Sequence, residues 1–564
     1  MSTAEIQGGL IDALLADVGT VYEALDEDGN VADRLTARAM HAETSVLANR
    51  LLEAASPGSR VIIPTQPGLG FERSFFATVM AGMIAVPLPK LGRLASRKLD
   101  RAQAVVADCG AEVVIGPMEE ISDAAAMMGL RPVGTDNLGT GTPLEALVPP
   151  PASGVALLQY TSGSTGTPKG VEITQSNLMA NQQAMAERCQ VGPGTDIVSW
   201  LPTYHDMGLC SMVILPLVSG ARLVKMQTDF FIRRPLSWLE AVSGRPEVWT
   251  AAPDFAYRTL LDAFARSPLE SLDLSGWKIA ANASESVREE TMLAFERVFG
   301  KFGFASTTFH PGYGLAESTV CVSVNAPGTH RTVNVLERAA LAQGVVRDAQ
   351  GAGESVTVAG CGQPIRGSIV RILHPESNEV LDDCRVGEIA VSSSSNGRGY
   401  WNRPELSEQV FGVEVNGTTF LRTGDLGYLR DGEVFICGRK KDLIIVGGEN
   451  YYSSDLEAAA AEAVADVKRS PLAAFQREDS SVVVAFEANH RLEADQLSDT
   501  CREVVKAVAS AIPTRVQAVA LRRGSIPRTT SGKVQRLKCK DLLADGAFRV
   551  LMTWPEEKKL HERV

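Results

Sequence analysis

The stretch YTSGSTGTPKG, residues 160–170, comes directly after an apolar run, GVALLQY at 154–160. The apolar run reads as a strand, and residues 161–170 read as a loop at its end, the usual place for a phosphate. Gly163, Gly166 and Gly170 allow backbone N–H groups to converge on an anion. Thr161, Ser162, Ser164 and Thr165 add hydroxyl donors, and Lys169 supplies charge. This is not the common phosphate loop, in which Gly-Lys precedes Ser or Thr. Here Lys169 stands between Pro168 and Gly170.

The surrounding pattern fits a layered α/β chain. SRVIIPTQ (59–66), IAVPLP (84–89) and the run before the loop read as buried strands, with helical patterns between them. Such alternation over the first 330 or so residues predicts a largely parallel sheet architecture. VEITQSNLMANQQAMAERC predicts a strand and then a helix capped by Ser176 or Asn177. Ser286 and Glu289 have capping-box spacing at the start of another helix. From about residue 355 short β-branched runs between Gly, Pro and Asp predict a β-rich subdomain, and YLRDGEVFICGR predicts a hairpin turning at Asp431-Gly432. At 564 residues the chain exceeds one ordinary domain. The expected division is a large N-terminal domain over 1–438, a hinge at 439–442 and a small, mobile α+β domain over 443–564. The last stretch, TWPEEKKLHERV, is expected to be a solvated tail.

Several function classes are excluded or disfavoured. A net charge of −12 does not suit a nucleic-acid surface. Nine scattered cysteines make no Cys-x-x-Cys pair, and the histidines show no His-Glu-x-x-His spacing, so no zinc site is visible. The longest apolar runs fall short of the roughly 18 residues a membrane helix needs. The N-terminal MSTAEIQGGLIDALL lacks the features of a signal peptide, and a cytoplasmic location is expected.

Three further stretches carry charge in constrained settings. HPGYGLAEST (310–319) is a near miss to a dinucleotide fingerprint, with Glu317 where a third glycine would stand. A carboxylate there suits Mg²⁺, which takes one or two carboxylates plus phosphate oxygens. LRTGDLGYL (421–429) places Asp425 in a glycine-flanked turn, able to accept hydrogen bonds from ribose hydroxyls or to form an Asx-turn. Arg439, after Gly438, is a ribose or phosphate contact or a surface arginine. IPRTTSGKVQR (526–536) presents Lys533 from a polar turn in the small domain, suited to delivering a charge to a site on the large one.

Taken in order, these pieces resemble the adenylate-forming superfamily of acyl-CoA synthetases, peptide-synthetase adenylation domains and luciferases, over roughly residues 20–540. The resemblance implies that the 160–170 loop holds the β- and γ-phosphates of ATP while a carboxylate attacks the α-phosphate. Positioning and charge neutralisation are what that reaction needs. By similarity, Lys533 bridges the substrate carboxylate and α-phosphate, Glu317 holds Mg²⁺, and Asp425 and Arg439 fix the ribose. Tyr313 stacks on adenine within Gly314, Leu315, Ala316 and Ser318, and Asn282, Ala283 and Ser284 line the base. The superfamily also implies a small domain that swings about Lys441 after adenylation to admit a thiol.

WLPTYHDMGL (200–209), DLSGWKIAANASESVREET (273–291) and the segment 331–364 are similar to the fatty acyl-AMP ligases. Residues 333–357 look like the insertion of that family, which hinders the swing needed for CoA. It implies transfer to the phosphopantetheine arm of an acyl carrier protein. His205 is expected beside Met207 in the acyl pocket or as a core histidine. Trp200, Phe255 and Tyr257 line the acyl channel or form plain core. One stretch departs from the pattern: Gly447-Gly448-Glu449 before Asn450 looks like a CoA ligase. Two rival readings are an acyl-CoA synthetase and a non-catalytic adenylate-binding protein.

Overall fold

A computed structural model describes the chain except residues 1–7, 17–18, 92–95, 139–141, 145–153, 162–167, 352–354, 465–466, 468–469, 489–491, 530–532 and 556–564, and the side chains of 96–98. Two sheets form the centre of the large domain. In the first, strands Arg60–Pro64, Ile84–Leu88 and Val113–Gly116 run parallel, and Val155–Thr161 joins beside Ile84–Leu88. Their sequences are near-continuous apolar runs because helices cover both faces. Lys169–Thr174 then returns antiparallel to Val155–Thr161, with Thr161 opposite Lys169. The lysine of the glycine-rich stretch therefore begins a strand.

The second sheet has nine strands among the described residues, with a parallel centre of Val21–Leu25, Arg222–Lys225, Asp196–Ser199, Val248–Ala252, Trp277–Asn282 and Phe309–Tyr313. One hydrophobic core spans both sheets. Lys225 of the second sheet meets Glu72, on the helix Gly70–Met80 that packs on the first, at 2.7 Å with both side chains buried. A β-rich unit follows, built on the antiparallel strands Ser368–Leu373, Gly387–Ser393, Thr418–Arg430 and Glu433–Arg439. The turn between the last two is at Asp431 (φ 53°) and Gly432 (φ 75°), the left-handed pair that a two-residue hairpin requires.

A short helical turn, Lys440–Asp442, leads into the hairpin Leu443–Val446 and Glu449–Tyr452. Beyond it, strands Leu472–Gln476, Val482–Glu487, Val516–Leu521 and Val550–Trp554 form a sheet covered by Ser453–Ala463 and Ala494–Ala511. Ile444, Leu456, Val484, Val504 and their neighbours make a core of their own. The architecture is thus a large α/β domain with mixed sheets and a smaller α+β domain.

Three local expectations are corrected. Helix Gln175–Cys189 is capped by Thr174, and Asn177 is its reciprocal partner three residues on, so neither Ser176 nor Asn177 is the cap. The strand ends at Thr174 with extended φ/ψ, which hands the cap position to that residue. Helix Glu289–Phe299 has no capping box from Ser286; Glu289 is drawn away to Arg331 at 2.6 Å. The expected tail begins at Thr553, but Thr553 and Trp554 close an edge strand, Val550–Trp554, and half-buried Trp554 packs on the small-domain core; residues 556–564 lie outside the described residues.

Candidate active site

Thr161, Asn282 and Tyr313 are each the last residue of a strand. Trp200 follows the end of Asp196–Ser199, and Phe255 lies just past Val248–Ala252. In α/β sheets the crevice beyond the carboxyl ends of strands is where ligands bind. Ser162, Gly163, Ser164, Thr165 and Gly166 lie outside the described residues. Lys169, at the far side of that loop, holds its ammonium over the Tyr400 ring at 5.6 Å.

Tyr313 donates its hydroxyl to Asp425 Oδ2 at 2.9 Å, and Arg439 Nε meets Asp425 Oδ1 at 2.8 Å. Strand register makes this pair, since Asp425 and Arg439 are direct cross-strand partners. The Asp425 carboxylate holds the Arg439 guanidinium firmly charged against its burial, while burial first, and then Asp425, push the Tyr313 phenol well up. Gly314 has no room for a side chain: a Cβ there would lie 1.6 Å from the Val320 carbonyl oxygen. Leu315 and Ala316 follow in the turn, and Ser318 is buried with its hydroxyl donated to Asn396 at 2.9 Å.

Glu317 accepts a hydrogen bond from the Tyr400 hydroxyl on Oε1 at 2.8 Å, and no described group bonds its other oxygen. No cluster of three or more His, Cys, Asp or Glu gathers for a metal among the described residues. A single carboxylate with an oxygen to spare fits an ion that takes its other ligands from phosphate and water, as Mg²⁺ does.

Asn282 is buried and donates to Asp254 at 3.1 Å; Ser284, at φ 71°, directs its hydroxyl to the Met207 sulfur at 3.7 Å. Ala283, between them in the chain, is half-buried. Trp200 stacks on Phe231 with centroids 3.8 Å apart and meets Phe255 edge-on at 6.2 Å. Tyr257 belongs to the core, fully buried with its hydroxyl on the Ala281 carbonyl. His205 Nδ1 sits 2.5 Å from Asp206 Oδ1. Burial works against the imidazolium, but the Asp206 carboxylate prevails and raises the pKa, with the Lys533 ammonium opposing.

Lys533 comes from the small domain. Its turn is closed by Thr529 and Lys533, which bond backbone to backbone at 2.7 Å; Ser531 and Gly532 lie outside the described residues. Burial, reinforced by Arg439, lowers the Lys533 pKa to about 8, with Asp425 partly compensating. A charge from the small domain therefore stands in the field of the Asp425–Arg439 pair. Arg536 ties the turn's helix to Glu457 at 2.6 Å and to Asp442 at 2.9 Å, anchoring it at the junction beside exposed Lys441.

A profile of the AMP-binding enzyme family matches residues 20–401. The chain belongs to that family. It is 34% identical over 561 residues to the long-chain-fatty-acid–AMP ligase FadD26 of Mycobacterium marinum, covering 94% of this chain and 96% of the relative. It is 32% identical over 549 residues to the medium-chain-fatty-acid–[acyl-carrier-protein] ligase JamA of Moorena producens, covering 93% of each. A solved fatty acyl-adenylate ligase, from work on the E. coli and L. pneumophila enzymes, superposes with a TM-score of 0.88 at 28% identity, covering 97% of this chain and 99% of that one. The chain is a ligase of the adenylate-forming superfamily, whose members generally use ATP and Mg²⁺. Among the described residues no helix is long and apolar enough to cross a membrane.

Sequence reasoning passed over Tyr400 and Asp254. The signal for Tyr400 was NGRGYW (396–401), two glycines ahead of an aromatic pair. Asp254 shows only by its bonds: it accepts from Asn282, Thr291 and the Arg288 backbone.

Proposed function

We propose that this ligase activates a fatty acid with ATP and passes the acyl group to the phosphopantetheine thiol of an acyl carrier protein. A carboxylate oxygen attacks the α-phosphorus, the bond from that phosphorus to the bridging oxygen of the β-phosphate breaks, and pyrophosphate leaves. The new bond is the mixed anhydride of acyl-AMP. Carrier thiolate then attacks the acyl carbon and expels AMP, its proton passing to solvent.

In this reading Lys533 draws the carboxylate and α-phosphate together, and Lys169 with the 161–166 loop neutralises the departing phosphates. Asp425 and Arg439 hold the ribose, Tyr313 faces adenine, and Glu317 holds Mg²⁺, whose charge offsets that of the phosphates. His205 sits with Met207, Trp200 and Phe255 at the acyl side. The observation that carries the adenylation is Lys533, delivered from the small domain into the field of Asp425, Arg439 and His205.

The junction at 439–442 serves as the hinge between a domain over 1–438 and one over 443–564. The carrier assignment is supported by the 333–357 segment. Its strands Val333–Glu337 and Ser355–Ala359 and helix Arg338–Ala342 share a hydrophobic cluster with Tyr452 of the small domain. A swing must break that packing. Free cysteines at all nine positions fit the reducing cytoplasm, where ATP and carriers are found.

An acyl-CoA synthetase is the second reading, favoured by Gly447 (φ 61°) and Gly448 (φ 85°) in the turn before Asn450. Product analysis by mass spectrometry separates them. With dodecanoate, ATP and Mg²⁺, we expect acyl-adenylate without acyl-CoA when CoA is present, and acyl-carrier when holo-carrier is added. Abundant acyl-CoA overturns the carrier assignment, and no adenylate overturns the whole reading.

A further inference from the structure

Residues 393–401 are stitched into both halves of the phosphate-facing machinery. On one side the Gly397 N–H donates to the Glu317 carbonyl at 2.9 Å, Ser318 donates to Asn396, and Thr319 donates to the Ser395 carbonyl at 2.7 Å. On the other side the Glu172 N–H donates to the Gly399 carbonyl at 2.9 Å and the Trp401 N–H to the Gly170 carbonyl at 2.8 Å. The segment thus ties the turn bearing Glu317 to the strand that begins at Lys169. The approach is close: a Cβ on Gly397 would stand 2.9 Å from the Glu172 carbonyl oxygen.

Tyr400 is the side chain at the centre of this stitching. It is buried, wedged edge-to-face on Phe411, with its backbone N–H held by Ser407 at 2.8 Å. Its hydroxyl is bonded to Glu317 Oε1 and its ring lies beneath the Lys169 ammonium. A ring face attracts an ammonium, and a phenol donor fixes a carboxylate's rotation.

We propose that Tyr400 is a positioning residue that sets the spacing between Lys169 and Glu317, so that a polyphosphate and its divalent cation are received together. The hydroxyl occupies one Glu317 oxygen and turns the other toward the cation. The ring gives Lys169 a resting place from which it meets the phosphates without first being stripped from a carboxylate. This rests on the reading of Glu317 as the metal carboxylate and Lys169 as a phosphate cation. It adds a group that touches neither ligand.

The test is binding, not turnover. Mn²⁺ binding is followed by electron paramagnetic resonance at saturating α,β-methylene-ATP, and binding of the same nucleotide is measured by calorimetry in EDTA. Tyr400→Phe keeps the ring and removes the donor. It should raise the Mn²⁺ Kd about ten-fold, the scale for losing an outer partner of a metal ligand, while nucleotide affinity in EDTA stays unchanged. Tyr400→Leu should weaken both, because Lys169 also loses its perch. Wild-type Mn²⁺ affinity in Tyr400→Phe, beside a marked loss in Glu317→Gln, overturns the positioning role alone. Unchanged affinity in Glu317→Gln as well overturns the metal assignment beneath it. Equal losses in both binding assays for Tyr400→Phe, or a lowered melting temperature that accounts for them, mark a purely structural tyrosine and also overturn the proposal.

Discussion

Asp425 and Arg439 face each other across an antiparallel strand pair and close an ion pair at 2.8 Å. Asp425 is buried and also receives the Tyr313 hydroxyl, so its charge is matched from two sides. Removing one partner of such a set leaves the other charge without compensation, which costs more than the pair contributes.

Asp425→Ala is therefore expected to lose about 2 kcal/mol or more of stability, below the value for a fully buried pair because Arg439 is partly exposed. Asp425→Asn, which keeps a hydrogen-bond acceptor for Tyr313, should lose less. Urea unfolding of the two variants checks the order. ATP binding should weaken in both; unimpaired binding would remove Asp425 from the nucleotide site.

Lys533 gives a pH signature. Its pKa is lowered to about 8, with burial the largest cause. In the proposed role the ammonium is the working form, so pyrophosphate exchange expressed as kcat/KM should fall as pH rises through about 8. The limb should move to higher pH in kcat, because bound phosphates favour the ammonium. Lys533→Arg, whose guanidinium does not titrate there, should retain a weak exchange without the alkaline limb. The same limb in wild type and Lys533→Arg would assign it to another group.

Much of this was legible in the sequence for a physical reason. Strands buried on both faces, such as Arg60–Pro64, have to be uninterrupted apolar runs, and Asp431-Gly432 has to supply two left-handed residues. Special backbone needs leave letters behind. The misses were of the opposite kind. Glu289 has the right spacing for a capping box, but a long-range partner, Arg331, captures it. Thr553 and Trp554 read as the start of a tail because their pairing with Val519 and Ala518 depends on the register of a distant strand. Tyr400 gains its place from Lys169 and Glu317, both far upstream in the chain, and no local pattern records that.

Lys441 lies in the short helical turn Lys440–Asp442, between the last strand of the large domain and the first of the small one. Proline fixes φ near −65°, which suits such a turn and resists its rotation. Lys441→Pro should keep pyrophosphate exchange and lose thioester formation, measured on one preparation. Loss of both activities, or of neither, counts against a hinge here.

Asp455 stands where the small domain meets the 333–357 segment, 3.9 Å from Arg338. Burial raises its pKa to about 6, with Arg338 opposing. A carboxyl whose folded pKa is raised stabilises most when protonated, so its contribution is complete below about 4 and fades as pH rises through about 6. Asp455→Asn, which is neutral throughout, should melt higher than wild type at pH 8, with the gap closing toward pH 4. A constant difference across that range would show that Asp455 does not titrate in the fold.

The proposed insertion, residues 333–357, leads to the most consequential experiment. Leu336 and Leu341 of that segment, with the adjoining Val358, pack with Tyr428 and Phe435 of the large domain and with Tyr452 of the small one. In the proposed swing the contacts to Leu443, Tyr452 and Asp455 would break, while those to Tyr428 and Phe435 would keep the segment in place as an obstacle. Burying an aliphatic side chain contributes about 1.5–3 kcal/mol, enough to bias two domain orientations by ten-fold or more. Leu341→Asp sets an unpaired carboxylate in that cluster and should free the small domain. Acyl-CoA formation should then rise at least ten-fold over wild type while pyrophosphate exchange stays within about two-fold, since the adenylation residues are untouched. Replacing 333–357 by a short glycine-serine linker should do the same more strongly. If neither change admits CoA, the barrier to CoA lies in the thiol's path and not in the domain motion.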